Sequence, residues 1–219
     1  MKKTKILMII AIAIVIIPSI ITGANILQII ASISGVIYVF NIVLENKYGQ
    51  LFGVVNSLMN AILMCINGVY GTFIYNMAYC IPIQIYTFFT WGKDKSGKDR
   101  TVISRYTTSQ RMFIICVAST IIGLYTIIAN KFNFHFAMVD AICIILGILG
   151  LYMTSKKRIE QWLCYIITNI AMLTLWLIKC IEDISNIPMV LMCLIFMLNN
   201  IYGWIVWSKK LKANNNNIK

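Results

Sequence analysis

The chain has 219 residues, of which 60% are hydrophobic and only 12% charged, and its net charge is +12. Soluble domains carry about 25% charged residues, so this composition excludes a soluble enzyme. The basic residues lie in short stretches between apolar segments, where they set membrane topology, and nucleic-acid binding is excluded with them.

In chain order, eight apolar stretches predict membrane-spanning helices at 6–22, 26–44, 51–67, 72–91, 111–130, 136–154, 160–178 and 188–207. Each approaches the roughly 20 residues that a helix needs to cross the hydrocarbon layer. The first follows Lys2, Lys3 and Lys5 and begins like a signal peptide. Its apolar character runs past Pro18 to Ile21 with no small-residue cleavage site before Thr22, so a retained span is expected. A cleaved signal and an interfacial helix are the alternatives.

Charge then orients the spans. Alternate loops hold 17 of the 19 Lys and Arg residues, and the opposite side holds only Lys131 and Lys179. The positive-inside rule makes the crowded side cytoplasmic and puts both termini there. The longest loop, 92–110, is polar and divides the chain. The asparagine-rich tail at 211–219 reads as disordered.

The two halves resemble each other. Tyr86 and Trp91 end the fourth span, Tyr202 and Trp207 end the eighth, and the offset is 116. The same offset relates Gln84 to Asn200, while Asn56 and Asn169 lie near an offset of 113. Copies that point the same way need an odd number of spans each, or an extra span between them, and spans two to four, a lone fifth and spans six to eight satisfy this. The expected fold is therefore an all-α integral membrane 3+1+3 bundle of two parallel repeats, plus an extra N-terminal helix at 1–24. Repeat 1 covers about 25–92, the linker helix 111–130 and repeat 2 about 134–208.

Polar side chains inside the spans need partners or a wet cavity. The third span carries Asn56 and Asn60, and the fourth carries Asn76, Tyr79, Gln84 and Tyr86. Trp162, Tyr165 and Asn169 follow one face of the seventh, and Asn200 lies in the eighth. Interhelical hydrogen bonding accounts for any single amide. Amides recurring in both halves beside aromatic rings suit a flat heteroaromatic ligand, cationic or neutral. Asp140 is the one carboxylate well inside a span and a candidate site residue by default. Trp91 and Trp207 read as interfacial belt residues. The seven cysteines show no CxxC pair and read as small apolar fillers. No catalytic or phosphate-binding motif is present, and neither a metal nor a cofactor is implied.

Several runs resemble the PnuC vitamin transporters. They are Asn46 to Asn56, then Tyr70, Asn76, Tyr79, Tyr86 and Trp91 in the first half. In the second they are Asp140-Ala141, Lys157 to Asn169 with Trp162 and Tyr165, and Tyr202-Gly203-Trp204 to Trp207. The resemblance spans about 25–210. It implies the 3+1+3 fold, a homotrimer in the cell membrane, and facilitated diffusion of nicotinamide riboside. It also implies a separate cytosolic kinase that traps the substrate by phosphorylation. Relatives for thiamine and riboflavin keep those substrates as alternatives, and a non-transport scaffold is the rival from another class. The candidate binding residues are Asn56, Asn76, Tyr79, Gln84, Asp140, Trp162, Tyr165, Asn169 and Asn200. Departures from the family pattern fall at Gln50, Asn76, Thr87, Phe88 and Tyr165, which bear on substrate more than on fold.

Overall fold

The computed structural model describes residues 2–92 and 102–216. Residues 93–101 of the long basic loop and 217–219 of the tail lie outside the described residues. The chain folds into helices α1 (Lys2–Ile21), α2 (Ile26–Val43), α3 (Gly49–Ile66) and α4 (Tyr70–Tyr75). A π-helical segment, Asn76–Cys80, continues α4 into α5 (Ile81–Thr90). Then come α6 (Thr108–Lys131), α7 (Ala137–Ser155), α8 (Gln161–Glu182) and α9 (Ile187–Asn216). Among the described residues seven helices are long and apolar enough to cross a membrane, and the interrupted 70–90 unit supplies an eighth segment. Helix α9 runs on to Asn216, into the stretch expected to be a disordered tail.

Local chemistry sets several boundaries. Asn25 caps α2 through the Leu27 N–H at 2.9 Å, and the Gln28 side chain returns a bond to the Asn25 N–H. Thr107 and Gln110 form the same reciprocal cap on α6. Pro82 brings no N–H to bond Ala78, and the chain answers with a wider turn in which Ile81 N–H reaches the Asn76 carbonyl.

Helix α2 packs on α3 and α9, α8 on α7 and α9, and the α4–α5 unit on α3 and α7. Helix α1 lies against α2 and α9, tied by a bond between the Thr4 and Tyr202 hydroxyls at 3.1 Å. Helix α6 packs mainly on α7 and leaves most of its surface outside the bundle.

The repeats cross at one end of the bundle. Trp207 Nε1–H donates to the Val43 carbonyl at 3.4 Å, and Trp91 Nε1–H donates to the Ser155 carbonyl at 3.3 Å. Val43 and Ser155 end the first helix of each repeat, where carbonyls lack intrahelical donors. Each repeat thus caps the other. Both indoles are buried, which corrects the interfacial reading of Trp91 and Trp207. Glu45 and Lys157 occupy matching turns, both left-handed with φ of 56° and 48°. They meet in an ion pair of 2.7 Å, and Lys210 reaches the second Glu45 oxygen at 2.5 Å. Burial pushes the Glu45 carboxyl up, but the two lysines outweigh it and hold it below the usual carboxylate range. These pairs put the offset in the first two helices of each repeat at 112. Asn169 is therefore matched by Ser57, and Asn56 by Thr168, one residue from the register read in the sequence.

Candidate functional site

A cavity lies between the two repeats in two adjoining compartments that share lining residues. The inner one, of about 160 Å³, is lined by Tyr38 from α2, Asn56 and Ser57 from α3, and Asn76 and Gln84 around the π segment. Trp162, Tyr165 and Asn169 from α8 and Phe196 and Asn200 from α9 complete it. The outer one, of about 130 Å³, shares Tyr75, Asn76, Tyr165, Thr168, Asn169 and Phe196 and extends to Asn60, Met64 and Thr72. Together they come close to the lower bound of about 300 Å³ for small-molecule sites. Among the described residues no carboxylate, ammonium, guanidinium or imidazole lines either compartment.

Small residues make room for the large ones. A Cβ on Gly203 would lie 2.5 Å from the Trp162 ring, and one on Gly150 would lie 2.7 Å from the Tyr165 ring. Gly53 plays that part for Tyr38, at 2.8 Å. At an offset of 112, Tyr38 matches Gly150 and Gly53 matches Tyr165, so ring and glycine exchange helices between the repeats. Trp162 is held edge-to-face by Trp207 at a centroid distance of 5.2 Å. The Tyr165 hydroxyl bonds Thr154 at 2.7 Å.

Most amides are already committed on one side. Asn56 Nδ2 donates to the Ala31 carbonyl at 2.7 Å, Asn60 Nδ2 to the Asn56 carbonyl at 2.9 Å, and Asn76 Nδ2 to the Thr72 carbonyl at 2.8 Å. Gln84 accepts from the Ser57 hydroxyl at 3.2 Å.

Seven of the nine candidate residues line the cavity: Asn56, Asn76, Gln84, Trp162, Tyr165, Asn169 and Asn200. Tyr79 and Asp140 do not. Tyr79 turns toward α7 and donates to the Ile148 carbonyl at 3.1 Å, because the wider π turn rotates it away from Asn76 and Gln84. Asp140 is buried and accepts from the Thr72 N–H at 2.7 Å, the Thr72 hydroxyl at 2.5 Å and the Tyr125 hydroxyl at 2.7 Å. The first turn of α4 has no side-chain cap of its own, and Asp140 supplies one from the other repeat. Tyr38, Ser57, Tyr75, Thr168 and Phe196 line the cavity without having been singled out in the sequence. The 112 register, which opposes Tyr38 to a glycine, is the signal that finds Tyr38.

Residues 25–209 match the family model described as nicotinamide mononucleotide transporter. The chain belongs to that family. Its members are transporters rather than enzymes, and the PnuC resemblance read from the motifs agrees with the match. Within the family, the chain is similar to the nicotinamide riboside transporter PnuC of Neisseria mucosa, 22% identical over 189 residues. That alignment covers 84% of this chain and 72% of the relative. The crystal structure of the vitamin B3 transporter PnuC superposes with a TM-score of 0.81 at 18% identity. It covers 97% of this chain and 93% of that one, which establishes the multi-pass transporter fold.

Proposed function

We propose that this transporter carries nicotinamide riboside across the cell membrane by facilitated diffusion, with a separate cytosolic kinase phosphorylating and trapping the product. The observation that carries this reading is a cavity between the repeats with aromatic faces, many amides and no ionised side chain. A nicotinamide ring is flat and, in the riboside, cationic. It stacks on Trp162 or Tyr165, and Asn56, Asn76, Gln84, Asn169 and Asn200 bond its carboxamide and ribose.

The same lining argues for the riboside over the mononucleotide of the family's description. A phosphate brings about two negative charges, and burying them without a cation is costly. Asp140 lies off the cavity and accepts three hydrogen bonds from Thr72 and Tyr125, so no carboxylate among the described residues lines the substrate cavity. The scaffold alternative expected helices packed without a cavity. Both termini inside follows from the positive-inside distribution, and a homotrimer has the outward apolar surface of α6 to use.

Equilibrium binding of nicotinamide riboside to the purified protein tests the reading, with thiamine and riboflavin as competitors. Saturable binding that neither vitamin displaces is expected, and Trp162→Ala should weaken it at least about tenfold with folding retained. Displacement by thiamine or riboflavin alone reassigns the substrate, and no binding of any of the three rejects the vitamin reading.

A further inference from the structure

Bonds inside the protein decide which atom of several cavity amides is left for a ligand. A backbone carbonyl only accepts, so an amide bonded to one must turn its nitrogen there and leave its oxygen free. Asn56, Asn60 and Asn76 each spend Nδ2 in this way, on Ala31, Asn56 and Thr72. One side of the cavity, from α3 and the π segment, therefore presents three amide oxygens, with the second N–H of Asn60 and of Asn76 beside them.

The other side has the opposite polarity. Among the described residues, three cavity-lining side chains hold a buried polar atom with no hydrogen-bond partner: Tyr38 Oη, Trp162 Nε1 and Asn200 Nδ2. Each carries a hydrogen to donate. Their residues are 8%, 1% and 2% exposed, so bulk water does not satisfy them. Gln84 adds to this side, since its oxygen is taken by Ser57 and its Nε2 remains. The Tyr38 hydroxyl stands beside Gln84 and Tyr165 without a well-formed bond to either.

Tyr38, Trp162 and Asn200 line the inner compartment together with Asn56, Asn60 lines the outer one, and Asn76 touches both, so the acceptors extend farther out than the donors. A ligand that satisfies the site presents an acceptor inward and a donor toward Asn56, Asn60 and Asn76.

We infer that this arrangement selects a carboxamide against a carboxylate, with Tyr38 as a specificity-determining residue. The inference rests on the nicotinamide riboside reading and deepens it. A carboxamide has one C=O for the donors and one NH2 for the amide oxygens. A carboxylate has two acceptors and no donor. In the same pose it sets a charged oxygen against amide oxygens and finds no cation in the lining. The row of amide oxygens also favours the cationic ring.

The test is a binding titration of the full-length protein in nanodiscs with nicotinamide riboside and with nicotinic acid riboside. These differ only in the group at issue. The acid should bind at least about 100-fold more weakly, as expected where a site built for a substrate N–H meets an analogue lacking it. Comparable affinities overturn the discrimination while leaving the substrate reading intact. Failure of both ribosides to bind overturns the substrate reading and this inference with it. Tyr38→Phe removes only a hydroxyl, and size-exclusion and melting profiles report its folding. It should weaken riboside binding about tenfold, the scale of one buried hydrogen bond. Unchanged affinity in the folded variant removes Tyr38 from the donor set.

Discussion

Consider neutralising either end of the Glu45–Lys157 pair. The Lys157 side chain is only 5% exposed, and Glu45 is its sole carboxylate partner among the described residues. The ring of Trp91, 5.1 Å away, offers the ammonium a weaker second interaction. Glu45 is 18% exposed and keeps a second partner in Lys210, itself 47% exposed. Glu45→Gln therefore strands a buried ammonium, which costs about 3–5 kcal/mol. Lys157→Met leaves Glu45 bound to Lys210 and should cost less than about 2 kcal/mol. Combining both substitutions removes the stranded charge and should recover most of the loss. Lys210 then loses Glu45 as well, but it is half-exposed, where solvent screens the charge. For a chain of this size about 1 kcal/mol corresponds to about 2–4 °C, so Glu45→Gln should melt roughly 6–20 °C lower. Melting of the three variants in one detergent at pH 7 ranks them. The reasoning is refuted if Glu45→Gln melts no lower than Lys157→Met, or if the double variant melts below Glu45→Gln.

The same pair sets an acid response. The Glu45 carboxyl is held below its ordinary value of 4.5, so its contribution is complete above that value and lost as pH falls through the lowered one. The melting gap between the native protein and Glu45→Gln should stay level from pH 7 to about 5 and close only in stronger acid; a gap closing near pH 6 contradicts the assignment. Asp140→Ala leaves the Thr72 N–H and the Thr72 and Tyr125 hydroxyls without their acceptor and should cost about 3 kcal/mol or more, with Asp140→Asn milder. Because Asp140 lies off the cavity, whatever folds should bind substrate normally, and lost binding at unchanged melting would place Asp140 in the site. Gly203→Ala drives a methyl into the Trp162 ring and should cost about 1–3 kcal/mol by overpacking while weakening riboside binding. A variant that binds as tightly as the native chain shows that Trp162 can move without consequence.

Much of the architecture was legible in the residues. Hydropathy depends on local composition alone, so the predicted spans match the helices to within a few residues at most ends, as at 26–44 against Ile26–Val43. The 116 offset relating Trp91 to Trp207 reappears as two crossed indole bonds at one end of the bundle. The near-113 pairing of Asn56 with Asn169 was off by one, because a single amide in each span is a weak marker of register. The equal turns after α2 and α7, with left-handed Glu45 and Lys157, are stronger ones. A π segment just before Pro82 breaks the regular helical spacing and turns Tyr79 toward α7, which hydropathy does not show.

The sequence alone determined the number of spans, their doubled arrangement, the side expected to face the cytoplasm and the kind of groups that meet between the repeats. These follow from transfer free energies and charge placement, which act residue by residue along the chain. Tertiary structure decided what depends on neighbours distant in sequence. It buried Trp91 and Trp207, turned Asp140 into a cap for α4, and brought Tyr38 to the cavity over Gly53. Above all it chose the orientation of Asn56, Asn60 and Asn76. An asparagine in a sequence is both donor and acceptor, and only the carbonyl beside it in the folded bundle settles which half is left for a ligand.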